Sequence, residues 1–304
     1  MKNIIWKKKG LVIFPDKSKY FTKSHAMIPT PFKLDKGIYR IFFSGRNKFN
    51  QSHITSVTID INKNFKIISK DKTPILSPGR LGTFDDNGVT PSCLLKLGPK
   101  KLALYYIGWN PGSTVRMHLF GGLALSNDNG KSFRRWSEAP IIERNKHNPF
   151  LNTAPWVIKK DKEYLMHYVS GTEWKNKDLP RYNIKLAYSK DGINWHHSNK
   201  ICIDFKNSKE NALARPFVFK DGKIWKMLFS SKGQYYKPGY AESIDAINWI
   251  RKDQDINFEK KITNYDNQMM GYFSVIRENN QYFMLYNGND YGTNGIALAV
   301  GELR

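Results

Sequence analysis

Cysteine is almost absent from this sequence, which has only Cys93 and Cys202 among its 304 residues. Two cysteines make no disulfide framework, and their spacing does not match that of a zinc site. We therefore expect both to lie in core strands of a reduced, cytoplasmic protein.

Long apolar runs are also missing. Residues 1–15 contain the lysine cluster Lys7–Lys9 and no apolar stretch of the kind found in signal peptides. No run reaches the length that a membrane-spanning helix needs. The histidines show no metal-ligand spacing, and no dinucleotide-binding, P-loop or metalloprotease motif occurs. The sequence thus predicts no metal, no cofactor and no membrane partner.

Acidic residues are scarce: 26 Asp and Glu stand against 49 Lys and Arg, for a net charge of +23. An excess of this size raises the expectation of an anionic partner. The lysines are spread along the chain and do not form a stripe, which disfavours nucleic acid. A phosphorylated or carboxylated sugar fits the charge, and scattered surface lysines are the simpler alternative.

Aromatic residues are plentiful at 14%, which favours pleated sheet, and a short segment recurs three times. Each copy has a small residue, then Ser-x-Asp, then an aromatic residue four or five positions after the Asp. The copies are Leu123–Phe133, Leu186–Trp195 and Tyr240–Trp249. Such a pattern predicts a strand that ends at Ser, a tight turn at Asp, and an aromatic residue that begins the next strand.

Two further pieces each recur five times. Apolar, aromatic-rich strands are predicted at Tyr39–Gly45, Leu102–Gly108, Tyr164–Gly171, Trp225–Ser231 and Tyr282–Gly288. A strand with a polar or proline start precedes each of them, at Ala26–Leu34, Val89–Leu97, Ala154–Lys159, Arg215–Lys220 and Tyr272–Arg277. Repeats of this length are typical of propeller blades.

We therefore predict an all-β protein, one five-bladed β-propeller domain over residues 1–304. Four-stranded antiparallel blades at about 18–80, 81–146, 147–206, 207–260 and 261–304 would surround a central funnel. A strand at residues 4–14 would close the ring against the last blade. In this arrangement the starts of the five first strands converge at the funnel.

Three acidic residues from different blades precede or begin those first strands: Asp86, Glu210 and Asp266. Cleavage of a glycosyl bond uses two carboxyl groups, one protonated and one ionised. We predict Glu210 as general acid, Asp86 as base or nucleophile, and Asp266 as a residue that positions substrate. Turn capping is the alternative for Asp85 and Asp86, of which only one should point inward.

Arginines that bind anions, aromatic rings that stack on sugars and polar groups complete the predicted funnel. The predicted substrate-binding residues are His25, Arg46, Asp85, Trp109, Trp174, Arg181, Tyr182, Arg215, Gln268 and Asn287. Packing between blades is the alternative for the aromatic residues, and pairing with the funnel aspartates is the alternative for the arginines.

Seven segments resemble a known superfamily. They are Gly82–Val89, Tyr105–Trp109, Tyr168–Trp174, Pro180–Tyr182, Ala214–Pro216, Gly239–Ser243 and Leu285–Asn289. The sequence resembles the five-bladed-propeller glycosidases, which include arabinanases, invertase-like fructosidases and mannoside phosphorylases. It looks closest to an uncharacterised branch associated with bacterial surface-polysaccharide genes.

Two positions depart from that resemblance. The first blade reads Ser24-His25-Ala26 where the glycosidases have an acidic residue, and the fifth reads Asp266-Asn267-Gln268 where the branch shows a Ser-Glu pair. The resemblance implies a cytoplasmic enzyme that acts on a glycosyl bond of an anionic or nucleotide-linked sugar in polysaccharide metabolism. Phosphorolysis, glycosyl transfer and glycan binding without chemistry are the alternatives.

Overall fold

Strands dominate the protein, as the sequence predicted. The structure is a computed structural model that describes Met1 and residues 4–303. Arg304, the end of the predicted last blade, lies outside the described residues. The chain begins with strand β1 (Ile4–Ile13).

Most of the remaining strands fall into successive antiparallel groups. The first is β2 (Ser24–Asp35), β3 (Ile38–Arg46), β4 (Ser52–Asp60) and β5 (Lys66–Lys70). The second is β6 (Gly88–Lys96), β7 (Leu102–Pro111), β8 (Met117–Ser126) and β9 (Arg134–Arg135). The third is β10 (Asn152–Lys160), β11 (Glu163–Asn176), β12 (Leu179–Ser189) and β13 (His196–Ile203).

The C-terminal part continues the pattern. The fourth group is β14 (Ala212–Asp221), β15 (Ile224–Lys232), β16 (Tyr236–Ser243) and β17 (Ile250–Arg251). After β18 (Asn257–Phe258) come β19 (Gly271–Glu278), β20 (Gln281–Asn287) and β21 (Ile296–Leu303). Strand β1 pairs antiparallel with β21 and parallel with β18.

The first strands of these groups contact one another in a circle. Strand β2 contacts β6, β6 contacts β10, β10 contacts β14, β14 contacts β19, and β19 returns to β2. Single parallel bridges join neighbouring groups at Ser52–Gly88, Phe120–Asn152 and Tyr182–Ala212. The architecture is therefore all-β and propeller-like, with the first strands around a central axis.

Helical structure is confined to single turns. They are the 3₁₀ turns Tyr20–Thr22, Ile61–Lys63 and Asp253–Asp255 and the turn α1 (Asn289–Gly292). Across Met1 and residues 4–303, none of these turns has the length and apolar character required to cross a bilayer.

The Ser-x-Asp repeat forms the turn between the third and fourth strands, as predicted. Each serine hydroxyl accepts a backbone N–H three or four residues on, at 2.8–2.9 Å, and binds the aspartate carboxylate. Hydrogen bonds from the backbone N–H of Asn194 and Ile193 lower the pKa of Asp191. These side chains thus form these hydrogen bonds of the turn locally, without contacts from the rest of the fold.

The same turn also joins each group to the one before it. Its aromatic residue packs edge-on against the second strand of the preceding group, in the pairs Phe133–Phe42, Trp195–Tyr105 and Trp249–His167. That second strand donates a hydrogen bond to the turn carbonyl, from Arg40 to Gly130, from Tyr105 to Gly192 and from His167 to Ala246. The repeat therefore supports both the turn and the packing between groups.

Arg215 lies across the central axis and is 1% exposed. Its guanidinium donates to the carbonyls of Phe273 and Pro29 and to the hydroxyl of Thr30, from strands β19 and β2. The guanidinium carbon also lies 5.4 Å from the ring centroid of Trp156 in β10. Arg215 thus ties several first strands together out of contact with solvent, which favours a structural role, and the predicted role in substrate binding stays a prediction.

Replacing Arg215 by Met should destabilise the protein. The Phe273 and Pro29 carbonyls would lose their donor inside the channel, so we expect the free energy of unfolding to fall by about 3 kcal/mol. Urea denaturation measures the change. Arg277→Ala is the control, since its pair with Asp221 is half exposed and should contribute less than about 1 kcal/mol. Equal urea concentrations at the midpoint of unfolding for wild type and Arg215→Met would contradict a stabilising role of Arg215.

Candidate functional site

The candidate site lies where the first strands begin and the second strands end, which we call the mouth of the channel. Four of the first strands carry a left-handed residue near this end: Ile28, Ala154, Arg215 and Tyr272, with φ between 48° and 58°. The strand register shifts at each of these residues. Bulges of this kind, with strained backbone, are found near functional sites.

Four tyrosines meet at the mouth and form what we call the tyrosine cluster: Tyr182, Tyr236, Tyr272 and Tyr291. The hydroxyls of Tyr182 and Tyr236 are 2.5 Å apart. The rings of Tyr272 and Tyr291 stack with centroids 6.4 Å apart, and both rings approach Tyr236. Burial raises the pKa of Tyr182 to about 12, so this phenol keeps its proton and can donate at neutral pH.

Positive groups surround the tyrosine cluster. Lys232 donates to the Tyr291 hydroxyl at 3.1 Å and lies over the rings of Tyr236 and Tyr291. Arg46 donates to Asn50, and its buried Nε has no hydrogen-bond partner among the described residues. Burial lowers the pKa of Arg46. Neither cation lies within 4 Å of a carboxylate in the described part of the chain, so both charges are available to a ligand.

His25 lies near Arg46. Its ring bonds the hydroxyls of Ser24 at 2.8 Å and Thr293 at 3.0 Å. Burial and then the nearby charge of Arg46 lower the pKa of His25 to about 4. At neutral pH the imidazole is therefore uncharged and available as a hydrogen-bonding group.

Three of the predicted acidic residues belong to a repeated structural element. The loop before a first strand contributes one side chain. That side chain bonds the second strand of its own group and a basic residue of the third or fourth strand or of β1. We call these side chains the loop anchors: Asp85, Asn148, Glu210 and Asp266. Their second-strand partners are Tyr106, Ser170, Ser231 and Tyr286, and their basic partners are Arg135, Lys185, Arg251 and Lys8.

Glu210 shows what this anchoring does to an acid. Both oxygens accept from Arg251, at 2.6 and 2.8 Å, and the Lys206 backbone donates as well. Burial alone would raise the pKa of Glu210, but these hydrogen bonds outweigh it and lower the pKa. A general acid needs the opposite shift, so these contacts argue for a structural role.

Asp85 and Asp266 are placed similarly. Asp85 is 0% exposed and bonds Tyr106 and Arg135 at 2.9 and 2.8 Å. Asp266 is 4% exposed and pairs with Lys8 at 3.0 Å. Asp85, Glu210 and Asp266 share no partner among the described residues. Each of the three is thus held by residues of its own strand group, and their joint role in one catalytic site stays a prediction.

Asp86 differs from its neighbour. It is half-buried and accepts from the Gly82 backbone at 2.9 Å, and no ion pair holds it among the described residues. Gly82 and Phe84 line an adjoining cleft of about 400 Å³, together with His118, Phe120 and Arg144. Asp86 thus stays a candidate catalytic residue beside a space large enough for a ligand.

The other predicted binding residues divide between structure and surface. Trp109 donates to Ser52, and Trp174 packs on Leu151 and Val169. Asn287 is buried and bonds the backbone of Ile28, Ala26 and Gly295. Arg181 pairs with Glu173, and Gln268 is exposed. Of the ten predicted binding residues, Tyr182 belongs to the tyrosine cluster. Arg46 lies close enough to Tyr272, and His25 close enough to Arg46, for their charges to interact.

Sequence reasoning missed Tyr236, Tyr272, Tyr291 and Lys232. One signal was present: Tyr236 begins a third strand, Tyr182 is the fourth residue of another, and Tyr272 immediately follows the start of a first strand. Aligning the groups strand by strand would have brought these tyrosines to one end of the channel. Within Met1 and residues 4–303, no group of three or more His, Cys, Asp or Glu could hold a metal ion.

Replacing Glu210 by Gln should destabilise the protein, by about 2 kcal/mol at neutral pH, because Arg251 loses its charged partner. The pKa of Glu210 is lower in the folded chain than its ordinary value of 4.5, so its stabilisation is present above that value and is lost as pH falls. Urea denaturation at pH 7 and at pH 3 measures the effect.

We expect the difference between wild type and Glu210→Gln to shrink at the lower pH. Glu138→Gln is the control, since Glu138 and its partner Arg80 are both exposed. A difference that does not change with pH would argue against the ion pair.

Comparison with known proteins finds both relatives and structural neighbours. No family model matches the chain. The chain is 36% identical over 298 residues to the uncharacterized protein Rv1502 of Mycobacterium tuberculosis strain H37Rv, covering 98% of this chain and 99% of that protein. The uncharacterized protein MT1551 of strain CDC 1551 matches to the same extent.

Solved structures of similar fold include glycoside hydrolases. An RGII complex of BT0996 has a TM-score of 0.74 and 19% identity, over 96% of this chain and 90% of that one. A thermostable family-43 glycoside hydrolase has a TM-score of 0.66 and 15% identity, over 94% and 92%. A Bombyx mori GH32 beta-fructofuranosidase has a TM-score of 0.64 and 17% identity, over 93% and 63%. At these identities the likeness shows the propeller-like fold alone.

Proposed function

We propose that this chain is a carbohydrate-active protein that binds an anionic sugar at the mouth of its channel and acts on a glycosyl bond. The chain belongs to the family of the uncharacterized Mycobacterium tuberculosis protein Rv1502. The structural likeness to glycoside hydrolases supports a carbohydrate ligand. The RGII complex of BT0996 is among the structures of similar fold.

The observation that carries this proposal is the composition of the mouth. Aromatic faces and phenol hydroxyls suit a sugar ring, which has both apolar C–H faces and hydroxyl groups. Arg46 and Lys232 supply positive charge that no carboxylate neutralises among the described residues. A phosphate or carboxylate on the sugar would therefore find charge-assisted hydrogen bonds there.

The contacts also favour one chemistry over another. Hydrolysis by Asp86 and Glu210 needs two free carboxyl groups, and Glu210 is bound to Arg251. A phosphate group that attacks the anomeric carbon needs only one partner to protonate the leaving oxygen, and we propose Asp86, which has no basic partner among the described residues, for that role. Phosphorolysis or transfer is thus the reaction that these residues fit best.

Glycan binding without chemistry is the second candidate. The observation in its favour is that Glu210 and Asp266 are both held in ion pairs, which leaves Asp86 as the one predicted catalytic carboxylate without a basic partner in the described residues. Surface-polysaccharide metabolism and a cytoplasmic location stay predictions from the sequence.

We further infer that the strand groups are the five blades of one propeller domain. The circle of first-strand contacts from β2 to β19 and back supports a closed ring. The pairing of β1 with β21 supports closure by the N-terminal strand. The blade boundaries at 18–80, 81–146, 147–206, 207–260 and 261–304 stay predictions.

Binding tests the anion site. Arg46→Gln and Lys232→Gln should each weaken binding of a hexose phosphate by about tenfold or more and change binding of the neutral hexose little. Isothermal titration calorimetry measures both. Lys237→Gln is the matched control, because Lys237 follows Tyr236 on the same strand and is exposed. Equal affinity of the wild type for charged and neutral sugars would refute the anionic ligand.

Turnover tests the role of Asp86. Asp86→Asn should lower kcat by about 100-fold or more, whereas Glu210→Gln should keep most of the activity wherever it is folded. Chromatography of products from sugar phosphates and anionic glycosides, with and without inorganic phosphate, measures kcat. Full turnover by Asp86→Asn would exclude Asp86. Saturable binding by the wild type with no product would identify the non-catalytic function.

A further inference from the structure

Five large apolar side chains project from neighbouring loops at the mouth. They are Phe14, Tyr20, Phe49, Leu81 and Ile262, with exposed fractions of 57%, 58%, 69%, 93% and 89%. Burying such side chains is favourable, and an exposed set in one region marks an interaction surface.

Topology places all five on one side of the molecule. Phe14 and Tyr20 lie between β1 and β2, Phe49 between β3 and β4, Leu81 before β6, and Ile262 before β19. Each of these connections meets the mouth, where the first strands begin. Because β19 contacts β2 and β2 contacts β6, the loops occupy one continuous sector. We call this sector the apolar rim.

Basic residues stand next to the apolar side chains. Lys48 precedes Phe49, Arg80 precedes Leu81, and Lys260 and Lys261 precede Ile262. The ammonium of Lys48 lies 4.9 Å from the Phe49 ring centroid. Among the described residues, neither Lys48 nor Lys260 lies within 4 Å of a carboxylate. Arg80 pairs with Glu138, so the positive charge of the rim that is not neutralised comes from Lys48 and Lys260.

We propose that the apolar rim binds the surface of an anionic membrane. Apolar and aromatic side chains insert between lipid headgroups, and lysines beside them are attracted to anionic lipids. A protein partner fits less well, because interface cores are depleted of lysine and these apolar side chains are separated by lysines. Nucleic acid fits less well because a duplex offers no apolar surface to Leu81 or Ile262.

This interaction goes beyond the proposed function, since it needs no sugar in the channel. It also departs from the sequence-based expectation of no membrane partner, because the side chains of the rim come from four separate segments and form no apolar run. If the proposed function holds as well, the mouth faces the bilayer and an anionic sugar carried on a lipid headgroup can reach the tyrosine cluster.

Vesicle sedimentation tests the proposal with the full chain and no sugar. We expect the wild type to bind vesicles of equal parts phosphatidylcholine and phosphatidylglycerol, to bind phosphatidylcholine alone at least about tenfold more weakly, and to dissociate as salt is raised. The double variant Leu81→Asp with Ile262→Asp should reduce binding to the anionic vesicles by about tenfold or more.

Two controls distinguish binding by the rim from nonspecific hydrophobic adsorption and from nonspecific electrostatic attraction. Ile244→Asp changes an apolar residue that is 81% exposed in the turn after β16, away from the mouth. Lys36→Gln with Lys223→Gln removes two exposed charges from turns at the far end, for comparison with Lys48→Gln with Lys260→Gln. We expect the far-end variants to bind as the wild type does and the rim lysine variant to bind more weakly.

Three results would overturn the proposal. They are failure of the wild type to bind anionic vesicles, equal loss in the far-end and rim variants, and retention on immobilised duplex DNA without vesicle binding. Circular dichroism of each variant checks that it is folded. The vesicle experiment contains no sugar, so a negative result does not contradict the proposed function. A negative result for sugar binding likewise does not contradict membrane binding by the rim.

Discussion

The structure depends on a positive charge that lies on the axis and has no negative partner within the part of the chain that the structure describes. Arg215 donates to carbonyls of β19 and β2 and stacks near the rings of Trp156 and Phe217, so most of the first strands meet on one side chain. Burial lowers the pKa of Arg215 to about 9, which still leaves it charged at neutral pH. Its charge lies in the channel, where it adds to the positive potential of the mouth.

Acidic and basic residues differ in how they are paired around the mouth. The loop anchors Asp85, Glu210 and Asp266 each neutralise a cation of an outer strand, and in doing so they hold the loops that lead into the first strands. Arg46 and Lys232 have no such partner among the described residues. The anionic ligand proposed for the mouth follows from this division, because these three acids are paired with cations whereas Arg46 and Lys232 are not.

The adjacent pair Asp85 and Asp86 shows how far sequence reasoning reaches. The sequence predicted from strand alternation that only one of the two carboxylates points inward, but both residues lie in the turn before β6, so their different surroundings come from the turn and its partners. It could not tell that Asp85 is the buried one, because the partner Arg135 is 50 residues away. The tyrosine cluster was largely missed for the same reason: Tyr182, Tyr236 and Tyr272 come from three groups and meet only when the groups are arranged around the axis.

The sequence by itself determined the strands, the Ser-x-Asp turns and the all-β class. These depend on contacts within a few residues, such as that between the Ser189 hydroxyl and the Gly192 N–H, so the local pattern suffices. Which charges pair was decided by the tertiary structure, since Lys8 reaches Asp266 across 258 residues. An isolated carboxylate in a sequence looks the same whether it is a proton donor or one half of an ion pair, and only its neighbours in space distinguish the two.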